Sequence, residues 1–279
     1  MLTEKEFLAQ YDPSKYERPS CTVDTILMSV IDKKLKILLI KRGQHPWLGR
    51  WALPGGFVNM TEDLDHAVWR ELEEETNVSS VNYFKQLYTL GKVDRDPRTR
   101  VISTVYLALI PEENIRNMHS GDDASDARWF DIRKVTQHMT DNQRVSILTL
   151  YNEEVGERIE YEVVDTVMDS YIKKDSRLID RSTSELAADH IKVINMAIDE
   201  VQNRVVTSGL IFSLLPTEFT LRQVREIYEI VTNKKISAPN FNKSIKKMLV
   251  STEHTVYSYN KWARLYRFNP MWQFLKEDL

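Results

Sequence analysis

Gly56-Phe57-Val58-Asn59-Met60-Thr61-Glu62 is followed, after seven residues, by Arg70-Glu71-Leu72-Glu73-Glu74-Glu75-Thr76-Asn77-Val78. The second half reads as a helix over 62–76. Thr61 is placed to cap it, and Glu62, Asp63 and Asp65 put negative charge at its positive end. Asn77 can close the helix because asparagine tolerates the left-handed conformation. Glu71, Glu74 and Glu75 stand at i, i+3 and i+4, so three carboxylates share one face. Such crowding is either a solvated acidic face or a seat for a divalent cation held by hard oxygen donors, such as Mg²⁺. Arg70 is placed to orient one of the glutamates by a charge-assisted bond.

Outward from this stretch, 21–31 and 35–41 are β-rich runs joined by Asp32-Lys33-Lys34, a hairpin pattern. A loop rich in Gly, Pro and Trp spans Arg42 to Gly56. Two further strand-like runs, 84–90 and 101–110, flank the charged loop Val93-Asp94-Arg95-Asp96-Pro97-Arg98-Thr99-Arg100, and a short strand fits 127–130. This mixed order predicts an α+β protein, with an α/β/α sandwich ending near residue 135. Residues 136–181 show one strand-like run, 159–168, and are assigned as an extension of a ligand-binding domain over 1–181. Ser182 and Glu185 carry the capping-box spacing, and Leu186, Val193, Ile194, Ala197, Ile198, Val201 and Val205 keep helical spacing, which predicts a connecting helix over 182–209.

Charge divides the chain. Residues 210–279 hold 11 Lys/Arg against 6 Asp/Glu, leaving 27 basic and 35 acidic side chains in the rest. A basic C-terminal part suits a polyanion. Within it Thr220 can cap a helix whose apolar face is Leu221, Val224, Tyr228 and Val231. A second helix buries Phe241, Ile245, Met248 and Leu249 and presents Asn240, Asn242, Lys243, Lys246 and Lys247. Amides can read adenine edges and lysines can hold phosphates or guanine, as in a recognition helix. A hairpin with the basic tip Asn260-Lys261-Trp262-Ala263-Arg264 suits a wing. The competing reading is a small dimerisation module with solvated lysines. The single cysteine, Cys21, excludes an intramolecular disulfide or a cysteine zinc cage, and no apolar run is long enough to span a bilayer. A cytoplasmic protein with no membrane partner is expected.

The six fixed positions Gly56, Glu62, Arg70, Glu71, Glu74 and Glu75 match the Nudix box. A chance match at one start is on the order of 10⁻⁷ to 10⁻⁸. Asn77 replaces the glycine usual there, and the further carboxylate that Nudix hydrolases often need would come from Glu112, Glu113, Asp122, Asp123 or Asp126. Ser14-Lys15-Tyr16-Glu17-Arg18-Pro19, Leu38 to Pro46, Trp51 to Val58, Asp94 to Arg98, Leu214 to Leu221 and the closing Ala263 to Phe268 together resemble the Nudix-related transcriptional regulators of NAD metabolism, the NrtR family.

The resemblance implies a C-terminal winged helix-turn-helix over 210–279, a dimer on palindromic operator DNA, and a Nudix-domain ligand, commonly ADP-ribose. Arg95, Arg98 and Arg100 are placed to grip phosphate or ribose, and Trp47 and Trp51 beside Arg42 to stack on a base, with Gly55 and Gly56 in the adjoining loop; the alternatives are a surface loop salt-bridged to Asp94 and Asp96, and core tryptophans. Most members of that family have a decayed box, whereas this one is largely intact. A Mg²⁺-dependent ADP-ribose pyrophosphatase, alone or combined with regulation, is therefore the second expectation.

Overall fold

The computed structural model describes residues 2–116, 127–205, 207–258 and 260–272. Helix α1 is Glu4–Gln10; strands β1 (Ser20–Ile31), β2 (Lys34–Lys41), β3 (Trp51–Ala52) and β4 (Gly55–Phe57) precede α2 (Leu64–Thr76). Next come β5 (Tyr83–Leu90), β6 (Val101–Leu109), α3 (Glu112–Arg116), β7 (Ala127–Met139), β8 (Gln143–Asn152), β9 (Glu157–Val167), β10 (Ile172–Leu178) and α4 (His190–Arg204). The C-terminal part holds α5 (Leu221–Thr232), α6 (Ala238–Ile245), β11 (Leu249–Ser258) and β12 (Lys261–Phe268).

The first ten strands form one sheet in the order β10-β9-β8-β7-β2-β1-β6-β5, with β3 on β2 and β4 on β1. The expected hairpin is present: Ile31 pairs with Lys34 across a turn in which Asp32 and Lys33 have φ 49° and 61°. Positive φ at both central residues matches the twist of the flanking strands. Strand alternation then sorts the core. Val23 and Leu27 of β1 pack with the α2 side, whereas Ile26, Met28 and Val30 face α4. An α/β/α sandwich is formed, but it does not end near residue 135: its second helical layer is α4, part of the stretch expected to be a connecting helix, whose apolar face packs on the sheet.

Residues 136–181 extend the sheet. The short strand expected at 127–130 runs on to Met139 as β7, and β8, β9 and β10 follow as an antiparallel meander. Side chains of β5 and of β8–β10, from opposite ends of the strand order, line one cavity of ≈ 470 Å³ against α4, so the sheet curls around that helix. The expected helix start at Ser182 is not used. The Ser182 hydroxyl accepts instead from the Glu160 backbone N–H at 2.9 Å, and α4 begins at His190. The cap of α2 also moves. Asp63, rather than Thr61, is its N-cap, because Glu62 is pinned by the Asn59 N–H at 2.7 Å and by Arg70. Asn77 ends α2 at φ 57°, donating its N–H to the Glu73 carbonyl at 2.9 Å.

One apolar face of α4 (Val193, Ile194, Ala197, Ile198 and Val201) is fully buried. Its charged side is anchored as well. Asp199 accepts from Lys134 at 2.7 Å, Lys174 at 2.6 Å and Arg144 at 3.1 Å, and Asp165 shares the same three cations. Burial raises the Asp165 carboxyl, but Arg144 and Lys174 overcome this and hold it at about 2. Removing one partner of a buried ion cluster leaves charge without compensation. Asp199→Asn is therefore expected to destabilise the protein by about 3 kcal/mol, read as a lower urea midpoint at unchanged m-value.

Candidate ligand pocket and winged helix

Three backbone segments meet at the first candidate site. The loop after β2 brings Arg42 and Trp47, the Gly55–Phe57 strand supplies the floor, and the loop between β5 and β6 brings Arg95 and Arg98. Together with Thr22, Asp24, Asp96, Ala188 and His190 they line a cavity of ≈ 220 Å³. Arg42 donates to the Pro46 carbonyl at 2.8 Å and lies 5.7 Å over the Trp47 ring, and Trp47 holds φ 63°. Arg98 stacks 5.1 Å from the Phe57 ring centroid and pairs with Asp96 at 2.8 Å. Arg95 forms a two-bond pair with Asp189 at 2.8 and 3.3 Å.

Two expected ligand residues lie elsewhere. Arg100 donates to the carbonyls of Gly91 at 2.8 Å and Lys92 at 3.1 Å, tying the ends of its own loop. Trp51 is completely buried against Phe130, with ring centroids 4.8 Å apart, and offers no face to a base.

Asp24 and His190 were not singled out in the sequence. Asp24 stands among Val23, Thr25 and Ile26, and a charge in an otherwise buried strand is a signal in itself. No local signal marks His190, whose Nδ1 accepts from the Leu53 N–H at 3.0 Å across 137 residues. That bond places the ring proton on Nε2, 3.7 Å from an Asp24 carboxylate oxygen. Burial holds the imidazole neutral by lowering its pKa. The other Asp24 oxygen accepts from the Ser103 hydroxyl.

The glutamate helix borders this pocket from behind its glycines. Arg70 is the hub: it donates to Glu62 at 2.7 and 3.0 Å, to Glu71 at 2.7 Å, to Glu74 at 3.3 Å and to the Phe57 carbonyl at 3.1 Å. Arg70 and the Asn59 N–H hold Glu62 at about 2. A Cβ on Gly55 would fall 2.1 Å from the Val23 carbonyl, so backbone excludes a side chain there, and one on Gly56 would fall 2.2 Å from a Glu71 oxygen and so displace that carboxylate. Glu75 accepts from the Gly55 N–H at 2.7 Å. Burial pushes its carboxyl up to about 8, with repulsion from Glu71 and Asp24 adding to the effect. Glu74 points out to Arg70 and solvent. Among the described residues no three His, Cys, Asp or Glu side chains are placed together to hold a metal ion. The expected metal face is thus split, with Glu71 and Glu75 inward and Glu74 outward.

Of the further carboxylates, Glu112 and Glu113 line a different groove, against α5, and Asp122, Asp123 and Asp126 lie outside the described residues.

The second candidate site is the C-terminal unit. Thr220 caps α5 through a capping box with Gln223, and Phe241, Ile245 and Met248 are buried as expected. The second helix is shorter than predicted. It ends at Ile245, 246–248 form a 3₁₀ turn, and Leu249 opens β11. Asn240, Lys243, Lys246 and Lys247 are exposed, and Asn242 is half-buried. Lys261 and Arg264 belong to strand β12 rather than to a loop, since that strand begins at Lys261. With Asn242, Arg222 and Arg225 they line a groove of ≈ 700 Å³ between α5, α6 and the hairpin. Arg222, exposed, and Arg225, half-buried, belong to α5, and a sequence reading that looks for DNA-facing residues on the second helix alone does not reach them. Among the described residues no helix is long and apolar enough to cross a membrane.

Residues 22–151 match the NUDIX domain family, and residues 211–268 match the NrtR DNA-binding winged helix domain. The chain is a NUDIX domain joined to an NrtR-type DNA-binding winged helix domain. The ADPR responsive transcriptional repressor NtrR of Acinetobacter baylyi is 28% identical over 270 residues, covering 95% of this chain and 88% of that protein. An ADP-ribose pyrophosphatase of Methanocaldococcus jannaschii is 36% identical over 145 residues, 50% of this chain and 80% of that one. Among solved structures, a MutT/nudix family protein from Enterococcus faecalis superposes with TM-score 0.73 at 29% identity, covering 96% of this chain and 94% of that one. Shewanella oneidensis NrtR complexed with a 27mer DNA superposes with TM-score 0.63 at 25% identity, covering 90% and 94%.

The raised Glu75 gives a signed pH test. An unfolded glutamate ionises near 4.5 and the folded one near 8, so between these values the folded state holds a proton that the unfolded state lacks. Wild-type stability therefore falls as pH rises across this window. Glu75→Gln removes that loss, so the variant's Tm should gain on wild type from about pH 5 to pH 9. A constant difference across the range contradicts the assignment.

Proposed function

We propose that this NrtR-type protein is a cytoplasmic, DNA-binding transcriptional repressor of NAD-metabolism genes, controlled by ADP-ribose or a related nucleotide in the pocket walled by Arg42, Trp47, Arg95 and Arg98. The observation that carries the reading is the union, in one packed chain, of an arginine-lined pocket beside the Nudix glycines with a winged helix. Guanidiniums suit diphosphate oxygens, and the Arg42–Trp47 rim suits a base. The cavity is smaller than the roughly 300 Å³ or more usual for whole ligands, which fits a site holding the phosphate and ribose inside and the base at the rim. Support for the ligand class comes from the A. baylyi repressor and the M. jannaschii pyrophosphatase.

On the DNA side, Asn240 and Asn242 would contact base edges, and Lys243, Lys246, Lys247, Lys261 and Arg264 phosphates or guanine, in a homodimer whose two winged helices match a palindromic operator.

A second reading, Mg²⁺-dependent hydrolysis of ADP-ribose, is favoured by one observation. Glu75 is crowded by Glu71 and Asp24, and a divalent cation would relieve that crowding. Glu71 and Glu75 would hold the ion, with Glu74 joining only on leaving Arg70. Bound there, Mg²⁺ would polarise diphosphate oxygens, while Arg70 keeps Glu71 in place. Absence of turnover across nucleoside diphosphate compounds in Mg²⁺ would remove this reading.

The regulator reading is tested by anisotropy on the protein's own upstream DNA against scrambled duplex. Lys243→Ala with Lys246→Ala should weaken binding and lower the salt slope by about 1 for each lysine that ceases to neutralise a phosphate. Unchanged affinity and slope would move the DNA-binding surface away from α6.

A further inference from the structure

The segment leading into α4 forms one wall of the ligand pocket, and the far end of α4 rests on the winged helix. Ala187 donates its N–H to the Trp51 carbonyl at 2.8 Å, which holds the segment against β3. Ala188 then adopts φ 47°, a left-handed conformation an alanine keeps only where its surroundings impose it. Asp189 is the N-cap of α4, yet its side chain makes no capping bond. Its carboxylate is spent on Arg95, whose side chain is 5% exposed. At the other end, Gln202 donates from Nε2 to the Val231 carbonyl of α5 at 3.1 Å. Between the two ends α4 is a rigid rod of about 1.5 Å per residue, clamped by the Asp199 cluster.

We propose that the Arg95–Asp189 pair is the switch by which a bound diphosphate acts on the winged helix, with Asp189 as the positioning residue and α4 as the lever. The inference rests on the effector reading above. Phosphate oxygens are direct competitors for a guanidinium held by one carboxylate, because both accept paired N–H bonds from its planar fork. Once Arg95 turns to the ligand, Asp189 is released to cap the open N–H groups of α4, the bond it now lacks. The turn at Ala188 then loses the tether that holds it. The ligand thus prefers the arrangement in which Arg95 is free, and this differential affinity is what a population shift requires. A shift at residues 188–190 is delivered through α4 to Gln202 and so to α5.

The test compares the ratio of DNA affinities with and without ADP-ribose in wild type, Asp189→Asn and Gln202→Ala, with ADP-ribose binding followed by calorimetry. Wild type should show a ratio of about five-fold or more. In Asp189→Asn the ligand-free protein should already bind DNA as liganded wild type does, so the ratio falls to within about two-fold of one while ADP-ribose still binds. Gln202→Ala should bind ADP-ribose as wild type does, with a reduced ratio. Wild-type ratios in both variants overturn the switch and leave the effector reading standing. Loss of ADP-ribose binding in Asp189→Asn also overturns it, since Asp189 would then be a ligand-binding residue. A wild-type ratio of one removes the effector reading, and the switch with it.

Discussion

Burial of α4 inside the curl of the ten-stranded sheet is the constraint on which the rest depends. Its apolar face completes the core against β1, β2 and β6–β9, and its charged side is locked by Asp199 to Lys134, Arg144 and Lys174. A helix packed over its whole length cannot tilt freely, so its two ends move together or not at all. The segment at one end carries Ala188 and His190 into the ligand pocket, and the other end meets α5. The meander β7–β10 is what makes this possible, because it supplies the three cations that hold Asp199.

The pocket joins two chemistries that the strand parity of β1 keeps apart. Val23 and Leu27 of that strand face α2 and its glutamates, whereas Asp24 faces His190 and the arginine loop. The glycine pair at 55 and 56 lies between them, thin enough for Glu75 to accept from one and Glu71 to press on the other. Charge on the glutamate side is therefore felt on the ligand side. A regulator can keep such a box because the same glutamates and Arg70 brace the pocket floor, independent of turnover.

Much of this was legible in the sequence where the signal is local. The glutamate helix, its asparagine stop, the β1–β2 hairpin, the Thr220 cap and the buried face of α6 each rest on residues within a few positions of one another. Of the extension, only the run at 159–168, which is β9, was legible. Strand β10 reads Ile-Lys-Lys-Asp-Ser-Arg-Leu and is largely exposed, so it has no apolar alternation to detect. Ser182 carried a genuine capping signature that a tertiary bond to Glu160 overrode. Likewise the arginine loop was recognisable as a group, but its division was not. Arg95 and Arg98 reach the pocket while Arg100 is consumed by its own loop, a distinction set by contacts with Asp189, Asp96 and the Gly91 carbonyl.

The central claim is that nucleotide binding is felt at the start of α4 and relayed to α5. Hydrogen–deuterium exchange on the full-length protein, with and without ADP-ribose, tests it most directly. The account predicts altered exchange in three places at once: the loop 95–98, the segment 187–191 and the α5 region around Val231. Changes confined to the loop and the glycine strand, with 187–191 and α5 exchanging as in the free protein, would contradict it.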